Sequence, residues 1–271
     1  MAAQLNHPKA SPLTTIEQEV GLTSIKVTYS RPATRGRKIF YDLVPLDRIW
    51  RVGANASTKI TLNSTVQMLN DTLPKGTYAL YAFPQKEIWE IVFHGNTGHW
   101  GDGRKNYDPK EDVLRIKVKP QTIPIFQENF VITFDQIDHN SLFMVWRWEY
   151  TEIRIPIKIE THRLMETQIT TKLEDNPTAQ TYYEAARYYQ EQGTNYNTSL
   201  HYLNKAIELG GDTYYFYRVK SLVEASLTNY KAAIKSAERS LVLANLEDKD
   251  EFVRMNEKNI RKWKNMLKEP K

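Results

Sequence analysis

The side chains best suited to chemistry fall in two stretches. The first, "SRPATRGRKIFYDLVPLDRIWR" (30–51), carries Arg31, Arg35, Arg37, Lys38, Arg48 and Arg51 against only Asp42 and Asp47. A guanidinium presents a planar fork that matches carboxylate or phosphate oxygens. Gly36 and Gly53 would let backbone amides approach an anion closely. The stretch runs into "IWRVGAN" (49–55), which ends on Asn55. These types point to a small anionic ligand held by Arg37, Arg48, Arg51 and Asn55, with Asp112 in the same site. A structural use competes with this. Arg51 paired with a carboxylate such as Asp112 would pin the loop, and an asparagine satisfies local backbone groups and tolerates unusual backbone angles. The stretch is no P-loop, because "GRKIF" lacks the glycine spacing and the Lys-Ser/Thr ending.

The second stretch is "HGNTGHWGDG" (94–103). His94, His99 and Asp102 are metal-capable types, but their H-x4-H-x2-D spacing matches no compact zinc signature. Trp100, flanked by glycines and polar groups, suits contact with a carbohydrate-like ligand. The same residues equally describe a sharp loop packed by one aromatic ring. No metal ligand set is secured by this spacing, and no cofactor is expected. Nucleophilic catalysis finds little support. Cysteine is absent, no Gly-x-Ser-x-Gly elbow occurs, and His139 two residues from Ser141 does not make a triad. Paired carboxylates for glycoside hydrolysis must face each other across a cleft, which spacing alone does not reveal.

These stretches must be positioned by two kinds of element. Up to about residue 160 the apolar pattern has period two. "SIKVTYS" (24–30), "TKITL" (58–62), "TYALYAF" (77–83), "IWEIVF" (88–93), "VLRIKV" (113–118), "FVITF" (130–134), "SLFMVWRWEY" (141–150) and "EIRIPIKIE" (152–160) read as strands. Leu142, Met144, Trp146 and Trp148 form one face for the core, and Arg147 on the other is expected to pair with a cross-strand acid. Pro156 has no N–H to donate, so its strand should be an edge or a bulged one. No helix of ordinary length interrupts these strands, which implies antiparallel pairing. Eight to ten of them predict a mainly antiparallel β sandwich, with a closed barrel as the alternative.

From about residue 162 the period becomes helical. Tyr196 and Tyr230, Leu200 and Ile234, Leu203 and Ala237, Ala206 and Ser240, and Leu209 and Leu243 are 34 residues apart. That interval is the tetratricopeptide period. Small residues (Ala186, Ser199, Ala206, Ala225, Ala233 and Ala237) fall where paired helices would approach. The division expected is a β domain over 1–160, a linker or joining helix over 161–177, and a helical repeat domain over 178–271 with a terminal capping helix. Two repeats and a cap make a short stack, so docking of the helices on the β domain is expected. Tyrosines suit a peptide or protein partner, and Tyr188, Tyr202 and Tyr215, which fit the core pattern least, are expected to be exposed for it.

Composition narrows the classes. The 271 residues carry a formal charge of +5, from 37 Lys and Arg against 32 Asp and Glu, spread over both halves. Such a spread argues against a nucleic-acid partner. No apolar run approaches the ~18 residues of a membrane helix. The start, "MAAQLNHPKASP", has no apolar core of a signal peptide.

The order of motifs "ASP" (10–12), "QEVGLTSIKVTYSRP" (18–32), "GRKIF" (36–40), "LVPLDRIWRVGAN" (43–55), "LPKGTYALYAFP" (73–84), "WG" (100–101) and "YDPKEDVLRIKVKP" (107–120) resembles DUF2911. This is a bacterial family of unknown function common in Bacteroidetes. The tail, "YYEAARYYQEQG" with "YKAAIKSAERSLVLA", resembles the tetratricopeptide-like tail of some members. The resemblance implies a periplasmic or envelope-associated protein and carries over no catalytic residue. His94 and His99 stand where the family usually has other polar types, so it implies no histidine site either. The function expected is ligand binding or scaffolding at the envelope. A hydrolase, metal-assisted through the 94–103 loop with Arg51, and a purely structural module are the alternatives.

Overall fold

The computed structural model describes residues 7–99, 101 and 104–268. It divides into two compact units, residues 1–165 and 166–271.

The first unit holds ten strands: β1 (Leu13–Val20), β2 (Thr23–Ser30), β3 (Thr58–Leu62), β4 (Val66–Met68), β5 (Asp71–Leu73), β6 (Gly76–Phe83), β7 (Trp89–His94), β8 (Asp112–Val118), β9 (Gln121–Asp135) and β10 (Ser141–Ile159). They form a six-stranded sheet, β1-β2-β3-β6-β7-β8, and a four-stranded sheet, β5-β4-β10-β9. All named pairings are antiparallel. The arrangement is a sandwich, not a closed barrel. Alternation dictates it: Ile25, Val27 and Tyr29 of β2, Ile91 and Phe93 of β7, and Met144, Trp146 and Trp148 of β10 meet in one buried cluster. Each fully buried aliphatic or aromatic side chain there contributes about 1.5–3 kcal/mol relative to exposure.

β10 lies inside its sheet rather than at an edge, contrary to one of the expectations for Pro156. Its first part pairs with β9 and its last three residues with β4. Pro156 falls between these two registers, where no ladder donor is required. The bulges expected of such a strand occur earlier, between Arg147 and Glu149 and between Glu149 and Thr151. Arg147 donates to Asp135 of β9 at 2.8 Å and to Glu152 at 2.6 Å, as its place on the polar face requires.

The second unit is helical. α1 (Thr161–Glu174), which contains the boundary, is followed by α2 (Ala179–Gln192), α3 (Tyr196–Glu208), α4 (Tyr214–Ser226), α5 (Tyr230–Leu246) and α6 (Asp250–Met266). The starts of α3 and α5 reproduce the 34-residue interval. α2 begins with a capping box built on Thr178 and Thr181 and stops at Gly193, whose φ of 70° is left-handed. Small residues bring the helices close. Ser199 is fully buried and its hydroxyl donates to the Ala186 carbonyl at 2.8 Å. Ala206, Ala233, Ala237 and Ser240 are fully buried as well. No helix among the described residues is long and apolar enough to cross a membrane.

Candidate functional site

The segment "IWRVGAN" continues alongside β6. Trp50 and Ala82 exchange both backbone hydrogen bonds at 2.8 Å. This aims Trp50 into the core, where it stacks on Trp148 at 6.0 Å and meets Trp89 and Phe130 edge-on. Ile49 turns the other way and packs against Tyr81 and Val92 on the outer face of the large sheet. Beyond Arg51 the chain folds tightly. Val52 has φ 53°, Gly53 φ 138° and Asn55 φ 61°. Left-handed backbone at a β-branched residue is costly, and such outliers gather at functional sites. Gly53 is required here, because a Cβ would lie 2.8 Å from the Ser30 carbonyl oxygen. The Thr58 hydroxyl donates to the Val52 carbonyl and closes the turn.

This turn walls a cleft of about 270 Å³ whose lining includes Arg37, Arg51, Arg104, Ile49, Trp50 and Trp148. No carboxylate lines it among the described residues. Arg37 is held by donation to two backbone carbonyls, of Thr34 at 2.9 Å and Ala33 at 2.9 Å. Carbonyls orient a guanidinium without cancelling its charge. The same device recurs at Arg31, which donates to the Phe130 carbonyl, and at Arg35, which donates to that of Ala10. The loop bearing Arg37 is itself clamped by acids from the small sheet. Glu149 accepts from the amides of Ile39 and Phe40, and Glu128 from the amide of Arg35.

The structure divides the residues expected to share one ligand site. Arg37 and Arg51 line the cleft. Arg48 is exposed and is not part of the lining. Asn55 has the local role, its amide donating to the Ser11 carbonyl at 3.2 Å and the Ser30 hydroxyl at 3.1 Å. Trp100 and Asp102 lie outside the described residues. Asp112 serves a different group, so the expectation that places it with Arg51 gives way. It sits at the start of β8, across a register shift from His94.

That second group lies on the outer face of β6, β7 and β8. His94 is fully buried, and its Nδ1 is 2.9 Å from Asp112 Oδ1. The other oxygen, Oδ2, accepts from the Tyr107 hydroxyl at 2.6 Å and from Arg115 at 2.7 Å. Arg115 also donates to Tyr107 and, at 2.7 Å, to Glu90. Burial raises the Tyr107 phenol well above its ordinary value, and the hydrogen bond to Asp112 and its charge raise it further. The phenol therefore stays protonated and donates. Across the imidazole, Nε2 is 3.3 Å from Glu111 Oε2, and forms no hydrogen bond. His99 stacks at a tilt against His94, centroids 5.4 Å apart, with Nδ1 3.4 Å from the Tyr81 hydroxyl. His94, His99 and Glu111 each offer a ligand atom within 4.8 Å of the others. Sequence reasoning named the two histidines but missed Glu111 as their companion. It also missed Tyr107 and Arg115 around Asp112, Tyr81 beside His99, and Arg104 at the cleft. The signal was period-two alternation: Glu90, Val92 and His94 on β7 and Arg115 on β8 share the outer face.

In the helical unit, Tyr188, Tyr202 and Tyr215 are half-buried rather than exposed. Tyr202 and Tyr215 pack against the helical core, because helix-pair contacts consume the large rings. Tyr215 also lines a cleft of about 480 Å³ with Tyr183, Arg187, Tyr214, Arg218 and Phe252.

No curated protein and no solved structure matches this chain. Residues 11–157, more than half of the chain and all of the sandwich but the last two residues of β10, match the family described as protein of unknown function (DUF2911). On that match the chain belongs to the DUF2911 family, to which it adds a tail of helices.

Proposed function

We propose that the β unit is a binding module for a small anion, a carboxylate- or phosphate-bearing molecule, taken into the cleft beside "IWRVGAN". The observation that carries this reading is the convergence of Arg37, Arg51 and Arg104 on one cleft with an indole floor. Three guanidiniums suit oxyanions, and Trp50 and Trp148 offer an apolar surface for the carbon skeleton of the ligand, sugar-like skeletons included. The strained Val52–Gly53 turn supports the same reading, since it aims Arg51 at the cleft. The family resemblance supports a periplasmic or envelope setting. The aromatic and arginine-lined cleft of the helical unit supports a peptide partner there.

The test is calorimetric titration of the full chain with inorganic phosphate, citrate and glucose 6-phosphate, repeated in Arg37→Ala. Saturable binding that weakens with added salt, and weakens about tenfold in the variant (about 1.4 kcal/mol), is the expected outcome. Absence of saturable binding for all three probes, or unchanged affinity in Arg37→Ala, would sink the reading.

A further inference from the structure

We propose that His94, His99 and Glu111 form a binding site for a divalent transition metal of the zinc type, with Asp112 as the residue that orients His94. The site is separate from the arginine cleft and rests on different residues.

The argument begins with the proton on His94. Asp112 takes three donors, His94 Nδ1, Tyr107 and Arg115. Surrounded by those groups, the carboxylate oxygens act as acceptors. Nδ1 therefore carries a hydrogen, and in the neutral imidazole the lone pair is on Nε2. This carboxylate–histidine arrangement is the one that fixes metal-ligating imidazoles. The Nε2 atom is buried and unpartnered. It faces not a donor but a second acceptor, Glu111 Oε2, at 3.3 Å. Two lone pairs at that distance repel each other unless a cation lies between them.

The spacing suits such a cation. Zinc bonds of about 2.0–2.2 Å in a tetrahedron put neighbouring ligand atoms roughly 3.4 Å apart. The His94–Glu111 separation is already one tetrahedral edge. His99 supplies a third ligand atom within 4.8 Å of both, so it closes the set with a shift of about an ångström from a loop side chain. Two histidines and a glutamate leave one position open, and imidazole with carboxylate selects zinc-like ions over magnesium or calcium. The backbone keeps Glu111 in place independently of any ion, since its carbonyl accepts from the Gly95 amide at 2.8 Å. The Asn96 amide holds its carboxylate at 3.3 Å.

The experiment uses the full chain free of any histidine tag, titrated with ZnCl2 against a chromogenic chelator, with visible absorption of bound Co2+ as a second readout. One equivalent of zinc per chain is expected. His99→Ala and Glu111→Gln, both at side chains that the fold can spare, should abolish stoichiometric binding while leaving the circular dichroism of the metal-free protein unchanged. Asp112→Asn should weaken binding about 10–100-fold. Arg37→Ala, which belongs to the anion cleft, should leave zinc affinity unaltered. A wild-type chain that takes up no stoichiometric zinc overturns the proposal. Equal affinity in wild type, His99→Ala and Glu111→Gln overturns it in favour of a different zinc site.

Discussion

Each unit buries a polar network, and the two networks differ in how they end. In the helical unit Asn256 is fully buried. Its amide donates to Ser240 at 2.8 Å, its carbonyl accepts from Arg218 at 3.2 Å, and the Ser240 hydroxyl donates to the Tyr214 carbonyl at 2.6 Å. The bonds run from Arg218 through Asn256 and Ser240 and close on backbone. In the β unit the network through Arg115, Tyr107 and Asp112 ends at His94 Nε2, which meets no donor. A closed network rigidifies packing, whereas an open one in a buried place costs stability unless something completes it. The same unit carries the strained turn and the arginine-lined cleft, and this is what supports proposing ligand chemistry there. In the helical unit Glu224 Oε2 is likewise buried without a hydrogen-bond partner, but a cation already faces that carboxylate, Lys220 at 4.0 Å.

The largest effect expected is that of Asp112→Ala. It strands a buried histidine, a phenol and an arginine together, and should cost the β unit about 3 kcal/mol, read by hydrogen exchange of β7 and β8 in the full chain. Unchanged protection there would mean that the network is incidental. Next, Asn256→Ala should loosen α4, α5 and α6 by about 2 kcal/mol, because it leaves Arg218 with one partner fewer in a buried place. The contrast between the two units sharpens if zinc restores protection around His94 in the wild type and changes nothing in the helices. A smaller effect attends Glu224. Burial raises its carboxyl above the ordinary 4.5. The folded state then holds the proton more tightly than the unfolded chain, so stability declines as pH rises from about 4.5 through the raised value. Glu224→Gln should remove that decline and stabilise the helices at pH 7 by about 1 kcal/mol, measured as thermal melting at pH 4 and pH 7. An identical pH profile for variant and wild type would contradict it. The smallest effect on stability belongs to Arg37→Ala, within about 0.5 kcal/mol, even though it should weaken anion binding about tenfold. A large loss of stability would instead make Arg37 a structural staple.

How much of this was legible follows from what each signal depends on. β3 was readable to the residue, since "TKITL" alternates cleanly between turns. β4 and β5 were hidden in "TVQMLNDTLPKG", because three-residue strands are too short to display a period; β4 depends on β10 for a partner and β5 on β4. The helical repeat was visible from its interval, but the exposure of Tyr202 and Tyr215 was misjudged, because packing between helices, not position on one helix, decides which rings are covered. At the site, His94 was noticed for its type and Asp112 for its place at a strand start. Their meeting depends on the register shift between β7 and β8, which no local pattern reports. Arg51 and Asn55, adjacent in one motif, were read as one site. The left-handed residues of the turn send one to the cleft and the other to the Ser11 and Ser30 backbone region.

The sequence by itself determined the order of the architecture, period two followed by a 34-residue helical interval, antiparallel strands followed by stacked helices, and membership of its family; the choice of sandwich over barrel came from the structure. Periodicity is a local property, set by which side of a strand or helix each residue occupies. Only the tertiary structure decided which chemistry-bearing groups meet. Arg37, Arg51 and Arg104 come from three loops, and His94, His99 and Glu111 from a strand end, a loop and the turn before the next strand. Contacts of that kind depend on register and loop path, which belong to the assembled sheets and not to any one stretch of residues.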